Sequence, residues 1–173
     1  MKRTLLIIIA FATVLSLSAC KGKTDEIDNS KSDSIKGALE GSLEEIMDKI
    51  YETADLEDGF RDYVENGTMN EEVTAERAEY FLGKADIEFE EALASEPMIQ
   101  PGAYSLVLVR AKDGADIEKI KTDIRENLNP YKWVCVGVSE ENIIVDNIGD
   151  IIFIVMSDNE ADSLHEAFLA LEK

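Results

Sequence analysis

The chain has 173 residues, of which 37 are acidic and 17 basic, and its formal net charge is −20 at pH 7. This charge argues against nucleic acid as a partner, because the phosphate backbone of nucleic acid requires basic contacts. It also argues against a domain that lies flat on anionic lipid. Hydrophobic residues make up 45% of the sequence, which is enough for the core of one domain of ordinary size.

Residues 1–19 have the layout of an export signal. Two basic residues precede an almost uninterrupted apolar run, Leu5–Val14, and small residues then lead into Cys20. The run is shorter than the roughly 20 residues that span a bilayer, so an uncleaved anchor or a core helix are the weaker alternatives. The ending Leu17-Ser18-Ala19-Cys20 resembles a bacterial lipobox, which implies that Cys20 is lipidated and becomes the first residue of the mature chain.

Residues 20–37 are predicted to be a flexible tether that starts at the lipidated Cys20. The segment contains only two large apolar side chains, too few to offset the entropy of ordering it. As a coil it reaches on the order of 20–25 Å. The expected location is therefore the outer face of the cytoplasmic membrane, or the periplasm-facing side in a Gram-negative source, with the membrane as partner through the lipid.

Apolar residues recur with helical spacing in the first part of the domain. They predict a helix over about 39–53, in which Ser42 and Glu45 have the spacing of a capping box. A second helix is expected from Thr74 to about Leu82, where Gly83 ends it. Segment 86–95 is predicted to be a short helix or an irregular acidic stretch.

A connector at 96–102, which holds two of the three prolines, separates a helical part, 38–100, from a sheet-containing part, 101–173. In the second part the order is β-α-β-β-β-α, which predicts an α+β fold with a mixed sheet of about four strands. A parallel right-handed crossover is expected between the first two strands. The predicted strands are 104–110, 133–138, 143–145 and 151–156, and the helices, expected on one face, are 116–128 and 159–172.

Few side chains suit catalysis. Cys135 is the only cysteine besides Cys20 and is expected to be a buried apolar residue of a strand, with a reactive thiol as the alternative. His165, the single histidine, is expected at the edge of the apolar stripe of the last helix. No catalytic motif is present in the sequence, so we expect no enzyme activity and no cofactor, and an envelope hydrolase is the least favoured interpretation.

The segment Asp146–Asp150 is the best candidate for a metal site. Asp146, Asn147 and Asp150 bracket Gly149 between two apolar strands, and carboxylate and amide oxygens suit divalent cations. The competing interpretation is hairpin chemistry, in which these side chains bond the backbone of a turn.

Tyr131 and Trp133 are the candidate binding residues. They follow the proline that ends a predicted helix, and both residue types are frequent anchors of protein interfaces. The alternative is that Trp133 packs at the edge of the core.

Three segments, 92–98 (ALASEPM), 132–138 (KWVCVGV) and 144–150 (IVDNIGD), are similar to segments of an uncharacterised family of bacterial lipoproteins from Gram-positive anaerobes. The resemblance covers about 40–173, and proteins of that family carry a domain of unknown function. It implies no activity and no catalytic residue, but it favours the outer face of a Gram-positive membrane.

Two functions are expected on these grounds. The first is a lipid-anchored, non-catalytic binding or assembly module at the cell envelope, with an envelope protein as possible partner. The second is a lipoprotein that binds a small ligand or a divalent cation through its acidic surface or through the 146–150 segment.

Overall fold

The computed structural model describes residues 39–172. The predicted signal, tether and Cys20 lie outside the described residues. No described helix is long and apolar enough to cross a membrane. The elements are α1 Leu43–Thr53, α2 Asp58–Gly67, β1 Thr68–Glu72, α3 Ala78–Leu82, β2 Glu91–Pro97, β3 Ser105–Arg110, α4 Ile117–Asn127, β4 Ile143–Ile148, β5 Ile151–Met156 and α5 Ala161–Leu169.

The α+β class predicted from the sequence is confirmed. The sheet has five strands rather than about four, in the order β1-β2-β3-β5-β4. Every neighbouring pair is antiparallel, so the prediction of a mixed sheet is wrong. The expected parallel neighbours do not occur. The chain instead passes from β3 through α4 to β4, which runs in the same direction as β3 but is separated from it by β5.

Two strands come from the part predicted to be helical. The sequence predicts a short helix or an irregular stretch for segment 86–95, but β2 pairs there with β1 on one side and β3 on the other. The charged residues Glu91 and Glu96 make this strand difficult to predict from the sequence. Hydrogen bonds to both neighbours satisfy its backbone, and this tertiary context outweighs a composition that is poor for a strand.

The segment 133–138 is not a strand, which corrects the second strand of the prediction. Cys135 has a φ of 63° and is exposed, so the expectation of a buried cysteine is also wrong. A residue in the left-handed region cannot continue an extended strand, and the segment forms an irregular loop over one end of the sheet.

Both faces of the sheet are covered, but the helices are divided differently from the prediction. α1 and α5 pack on one face, against residues such as Leu106 and Phe153. α3 and α4 cover the opposite face, which carries Val107 and Ile154. Helices α4 and α5 therefore lie on opposite faces, because the alternating side chains of β3 and β5 are apolar on both sides.

The start of α1 agrees with the capping box expected from the sequence. The Glu45 backbone N–H donates to Ser42 Oγ at 3.2 Å, and the Ser42 N–H donates to Glu45 Oε2 at 3.1 Å. Gly83 ends α3 in the left-handed conformation, as expected. The last helix begins at Ala161 rather than at the expected Asn159, and the Glu160 N–H donates to Ser157 Oγ.

Candidate functional site

The three candidate metal ligands contact side chains of other elements, and Lys121 contacts two of them: its Nζ lies 3.6 Å from Asp146 Oδ1 and 2.8 Å from Asn147 Oδ1. Asp146 and Asn147 lie in β4 rather than in the turn, which is confined to Gly149 and Asp150. Because successive strand residues point to opposite faces, Asp146 faces α5 and Asn147 faces α4. Asp150 Oδ2 lies 3.4 Å from a nitrogen of Arg110.

Asp146 joins the edge strand β4 to the last helix. Its Oδ2 lies 2.8 Å from Nε2 of His165, whose ring stacks on Phe153. Burial acts to raise the pKa of the Asp146 carboxyl, but hydrogen bonds from His165 and from the Asn147 backbone N–H outweigh it and lower that pKa. Asn147 Oδ1 accepts a hydrogen bond from Lys121 at 2.8 Å. These contacts fasten α4 and α5 to the sheet edge.

Among residues 39–172, no group of three or more His, Cys, Asp or Glu side chains is placed so that it could hold a metal ion. Asp146, Asn147 and Asp150 therefore do not form a joint site in this geometry. Their contacts instead connect secondary-structure elements.

Tyr131 and Trp133 differ in how much of each residue is exposed. Trp133 is only 5% exposed and packs with Val138 and Met156, whereas Tyr131 is 71% exposed. The indole N–H of Trp133 donates to Glu96 Oε2 at 3.0 Å. Trp133 thus supports the loop from inside, and Tyr131 is left free for contact with another molecule.

A buried charged cluster centres on Glu96, near the end of β2. Lys132 Nζ lies 2.6 Å from Glu96 Oε1, and both side chains are almost fully buried. The Tyr80 hydroxyl also donates to Glu96, at 3.4 Å, and Lys132 donates to Ser105 Oγ at 3.1 Å. No pattern in the sequence indicates this cluster, because Glu96 lies in the presumed connector and Lys132 is 36 positions further along the chain.

Aromatic rings surround the Lys132 ammonium. Its Nζ lies 4.6 Å from the ring centre of Tyr80, 5.0 Å from that of Phe81 and 5.1 Å from that of Trp133, within the range of cation–π attraction. Burial lowers the pKa of the ammonium, while the Glu96 carboxylate opposes that shift. The cluster pins the irregular 130–138 loop to β2 and β3.

The 130–138 loop is also closed on itself. The Val138 N–H donates to the Pro130 carbonyl at 3.0 Å, and Asn129 Oδ1 accepts from the Tyr131 N–H at 2.9 Å. Gly137 lies so close to the Tyr131 ring that a Cβ there would be 2.3 Å from Cδ1. A loop held at both ends and from inside presents its outer residues with little further loss of entropy on binding.

The outer residues of this sheet end are apolar. Residues 39–172 expose six large apolar side chains, and five of them lie in segments next to Glu96. One is the β1 residue paired with Glu96, two directly follow β2, and two belong to the 130–138 loop, which is bonded to Glu96 through Trp133. The sixth, Leu169, lies at the end of α5. We call the five the sheet-end surface; they are Met69, Met98, Ile99, Tyr131 and Val134.

Comparison of the chain with protein-family models, curated proteins and solved structures gives no match. The similarity to lipoproteins of Gram-positive anaerobes therefore stays a prediction from the sequence, and the function has to be argued from the geometry.

Proposed function

We propose that this chain is a lipoprotein tethered outside the cytoplasm through Cys20, and that its folded part is a non-catalytic binding or assembly module. The sheet-end surface carries the proposal, since large apolar side chains concentrated in one region of a domain surface are typical of interaction sites. The tether would keep this domain off the lipid while it meets its partner.

The occupant we propose for the sheet-end surface is an envelope protein with an apolar recess and a basic rim. Tyr131 and Ile99, which are 71% and 80% exposed, would act as anchors, because aromatic and large aliphatic side chains dominate binding energy at interface centres. The net charge of −20 favours a basic rim by charge complementarity. The same charge disfavours an anionic lipid surface as the occupant.

The lipid anchor is tested by replacing Cys20 with Ala and fractionating cells. We expect the wild-type chain in the membrane fraction and the variant released from it, because loss of the acyl chains removes the main source of membrane affinity. Unchanged membrane association of the variant would contradict anchoring through Cys20.

The docking surface is tested by photo-crosslinking in cells that express the full chain. We would place p-azidophenylalanine at position 131 and, as a matched control on an exposed apolar position elsewhere, at position 169. We expect a discrete crosslinked protein only from position 131, a yield that falls with ionic strength, and loss of the product when Ile99→Ser and Val134→Ser are added.

Three results would overturn this docking proposal. They are equal labelling from both positions, a product that contains lipid only, and a product with the mass of two copies of this chain. Identification of the crosslinked protein then checks the basic rim directly.

A further inference from the structure

The sheet has two edge strands, β1 and β4. In an antiparallel pair, residues that bond the neighbouring strand alternate with residues whose backbone points away from it. The bond from the Val73 N–H to the Ala92 carbonyl, just past the end of β1, fixes this alternation. The β1 residues that direct their backbone away from β2, to the outside of the sheet, are therefore Thr68, Asn70 and Glu72.

The β4 edge is covered. The same alternation directs the backbone of Val145 and Asn147 outward. Arg125 of α4 donates to the Val145 carbonyl at 2.7 Å, and the Asn147 N–H donates to Asp146 Oδ1 at 2.9 Å. An edge strand covered by a helix in this way is protected from pairing with other chains.

The β1 edge has no such cover among the described residues. None of them bonds the outward N–H and carbonyl of Asn70, the carbonyl of Thr68 or the N–H of Glu72. α1 packs over β2 and β3, where Ile46 and Leu108 share one core, and β1 beside it keeps Asn70 and Glu72 exposed. Unpaired donors and acceptors at a sheet edge form a template to which an extended segment can add as a further strand.

Two pockets of about 410 and 260 Å³ lie along this edge, between α1 and β1. Carboxylates from α1, β1 and the neighbouring elements line both of them. These carboxylates, which we call the edge groove, belong to Glu44, Asp48, Glu52, Glu65, Glu72 and Glu91. The open backbone of β1 therefore lies beside a row of acidic side chains.

Two guanidinium groups lie close to the edge groove, and both have other partners. Arg110 lies 2.8 Å from Glu91 and so neutralises one of the six carboxylates. Arg61 lines the larger pocket, but its guanidinium donates to the carbonyls of Tyr51 and Ala54 at the end of α1. The other five carboxylates form no ion pair with a described residue, so the groove stays negative.

The larger pocket also has an apolar part. Tyr51, Leu56 and Val64 line it together with the carboxylates. Lysine and arginine side chains combine an apolar stem with a charged end. The stem can pack on these three side chains while the charged end reaches the carboxylates, which makes the pocket suitable for a long basic side chain.

The same charges make a second copy of this chain a poor occupant. β1 carries Glu71 and Glu72, and the net charge of the chain is −20, so two β1 edges would repel each other. Charged residues on a short edge strand prevent pairing between identical chains. They attract a segment of opposite charge, and this complementarity selects the occupant.

We infer that the β1 edge binds an extended basic segment of another protein, which joins the sheet as a sixth strand. Its backbone pairs with the outward groups centred on Asn70, and lysine or arginine at alternate positions extends into the edge groove, because alternate side chains of a strand share a face. Met69 points to the opposite face, together with its partner Glu96. The inference therefore goes beyond docking at the sheet-end surface.

The test is fluorescence anisotropy with the full chain in a non-ionic detergent at pH 7.5 and constant ionic strength. The probe is a labelled peptide, acetyl-Thr-Lys-Val-Lys-Val-Lys-Thr-amide, for which we expect saturable binding. Two derivatives carry backbone N-methyl groups either at the lysines or at the residues between them. Since only one edge of an added strand faces β1, we expect one derivative to bind at least tenfold more weakly than the other, although their charges are equal.

Two variants of Asn70 test the same bond from the side of the protein. Asn70→Pro removes the outward N–H, and proline is tolerated at an edge position whose N–H faces away from the sheet. Asn70→Ala changes the side chain but keeps the N–H. We expect the proline variant to bind the peptide at least tenfold more weakly than the alanine variant, and urea unfolding checks that both are folded.

The role of the groove is tested by removing charge. Asp48→Asn combined with Glu72→Gln should weaken peptide binding at least tenfold. Glu126→Gln combined with Glu141→Gln removes the same charge from exposed positions on α4 and in the turn before β4, and should leave the affinity unchanged.

Four results would overturn the inference. They are no saturable binding, equal binding of the two methylated peptides, equal affinities of folded Asn70→Pro and Asn70→Ala, and a dimer in native mass spectrometry that Asn70→Pro abolishes. Should the proline variant fail to fold, the methylated peptides with the wild-type chain still decide the question. Crosslinking from position 131 is measured separately, so failure of one proposal leaves the other standing.

Discussion

Glu96 and Lys132 place two opposite charges where water hardly reaches. The Lys132 ammonium lies 2.6 Å from Glu96 Oε1 and also contacts Ser105 Oγ, while Trp133 and Tyr80 donate to Glu96 Oε2. Such a pair adds little net stability compared with apolar residues, because both charges must be desolvated. We expect the pair to contribute specificity instead, since only one position of the 130–138 loop pairs both charges.

The pair predicts a strongly non-additive mutational cycle. Lys132→Met leaves the Glu96 carboxylate buried without its counter-charge, so we expect a loss of about 3–5 kcal/mol in the free energy of unfolding. The double variant Lys132→Met/Glu96→Gln removes both charges and should recover most of that loss. Urea unfolding of the two variants and of Glu96→Gln gives the coupling free energy.

A loss below about 1 kcal/mol for Lys132→Met, typical of an exposed ion pair, would contradict the burial of this pair. Equal losses in the single and double variants would show that the uncompensated charge of Glu96 is not the cause of the loss.

At the scale of elements, Gly83 joins the ends of two helices. It ends α3 with a φ of +82°, and a Cβ at this position would lie 2.4 Å from the carbonyl carbon of Asn127 at the end of α4. A backbone approach this close leaves no room for a side chain. The packing of α3 beside α4 therefore depends on glycine for two reasons, conformation and contact.

Gly114 is a control for the conformational reason alone, because it lacks the close contact. It also has a positive φ, +76°, but a Cβ there would meet nothing within 4 Å. We expect Gly114→Ala to cost about 1–2 kcal/mol from backbone strain alone, and Gly83→Ala to cost about 1–3 kcal/mol more because the neighbouring backbone must move. Thermal and urea unfolding compare the two, and equal costs would contradict the close packing of α3 and α4.

The elements that could be predicted from the sequence are those whose own composition decides their structure. β3 and β5 are apolar on both faces, and α1 and α4 carry regular apolar stripes with capping residues. β2 could not be predicted because pairing with its neighbours decides it. For the 133–138 segment the error is the reverse: a strand was predicted and a loop is found. Its β-branched residues favour a strand, but the Glu96 cluster and the positive φ of Cys135 hold it as a loop.

The candidate sites show the same division. Tyr131 could be chosen as an exposed anchor from its residue type and its place after a proline. The sheet-end surface as a whole could not, because Met69, Ile99 and Val134 are brought together only by strand pairing and by the buried Glu96–Lys132 pair.

For the whole molecule, charge is the dominant unbalanced property. With 37 acidic against 17 basic side chains, we expect repulsion among carboxylates to outweigh the ion pairs that link some of them to lysine and arginine. Repulsion of this kind destabilises the compact state, and salt weakens it by shortening the Debye length from about 30 Å at 0.01 M to about 8 Å at 0.15 M. The buried Glu96–Lys132 pair is shielded from this effect.

We therefore expect the melting temperature of the full chain to rise between 0.01 and 0.15 M salt, by about 2–4 °C for each kcal/mol of repulsion relieved. Scanning calorimetry in LiCl, NaCl and KCl should give the same rise at equal ionic strength, because screening depends on charge and concentration rather than on the identity of the ion. A fall in melting temperature would show that surface ion pairs outweigh the repulsion. A rise confined to one cation would point instead to a specific inorganic site and would count against screening as the cause.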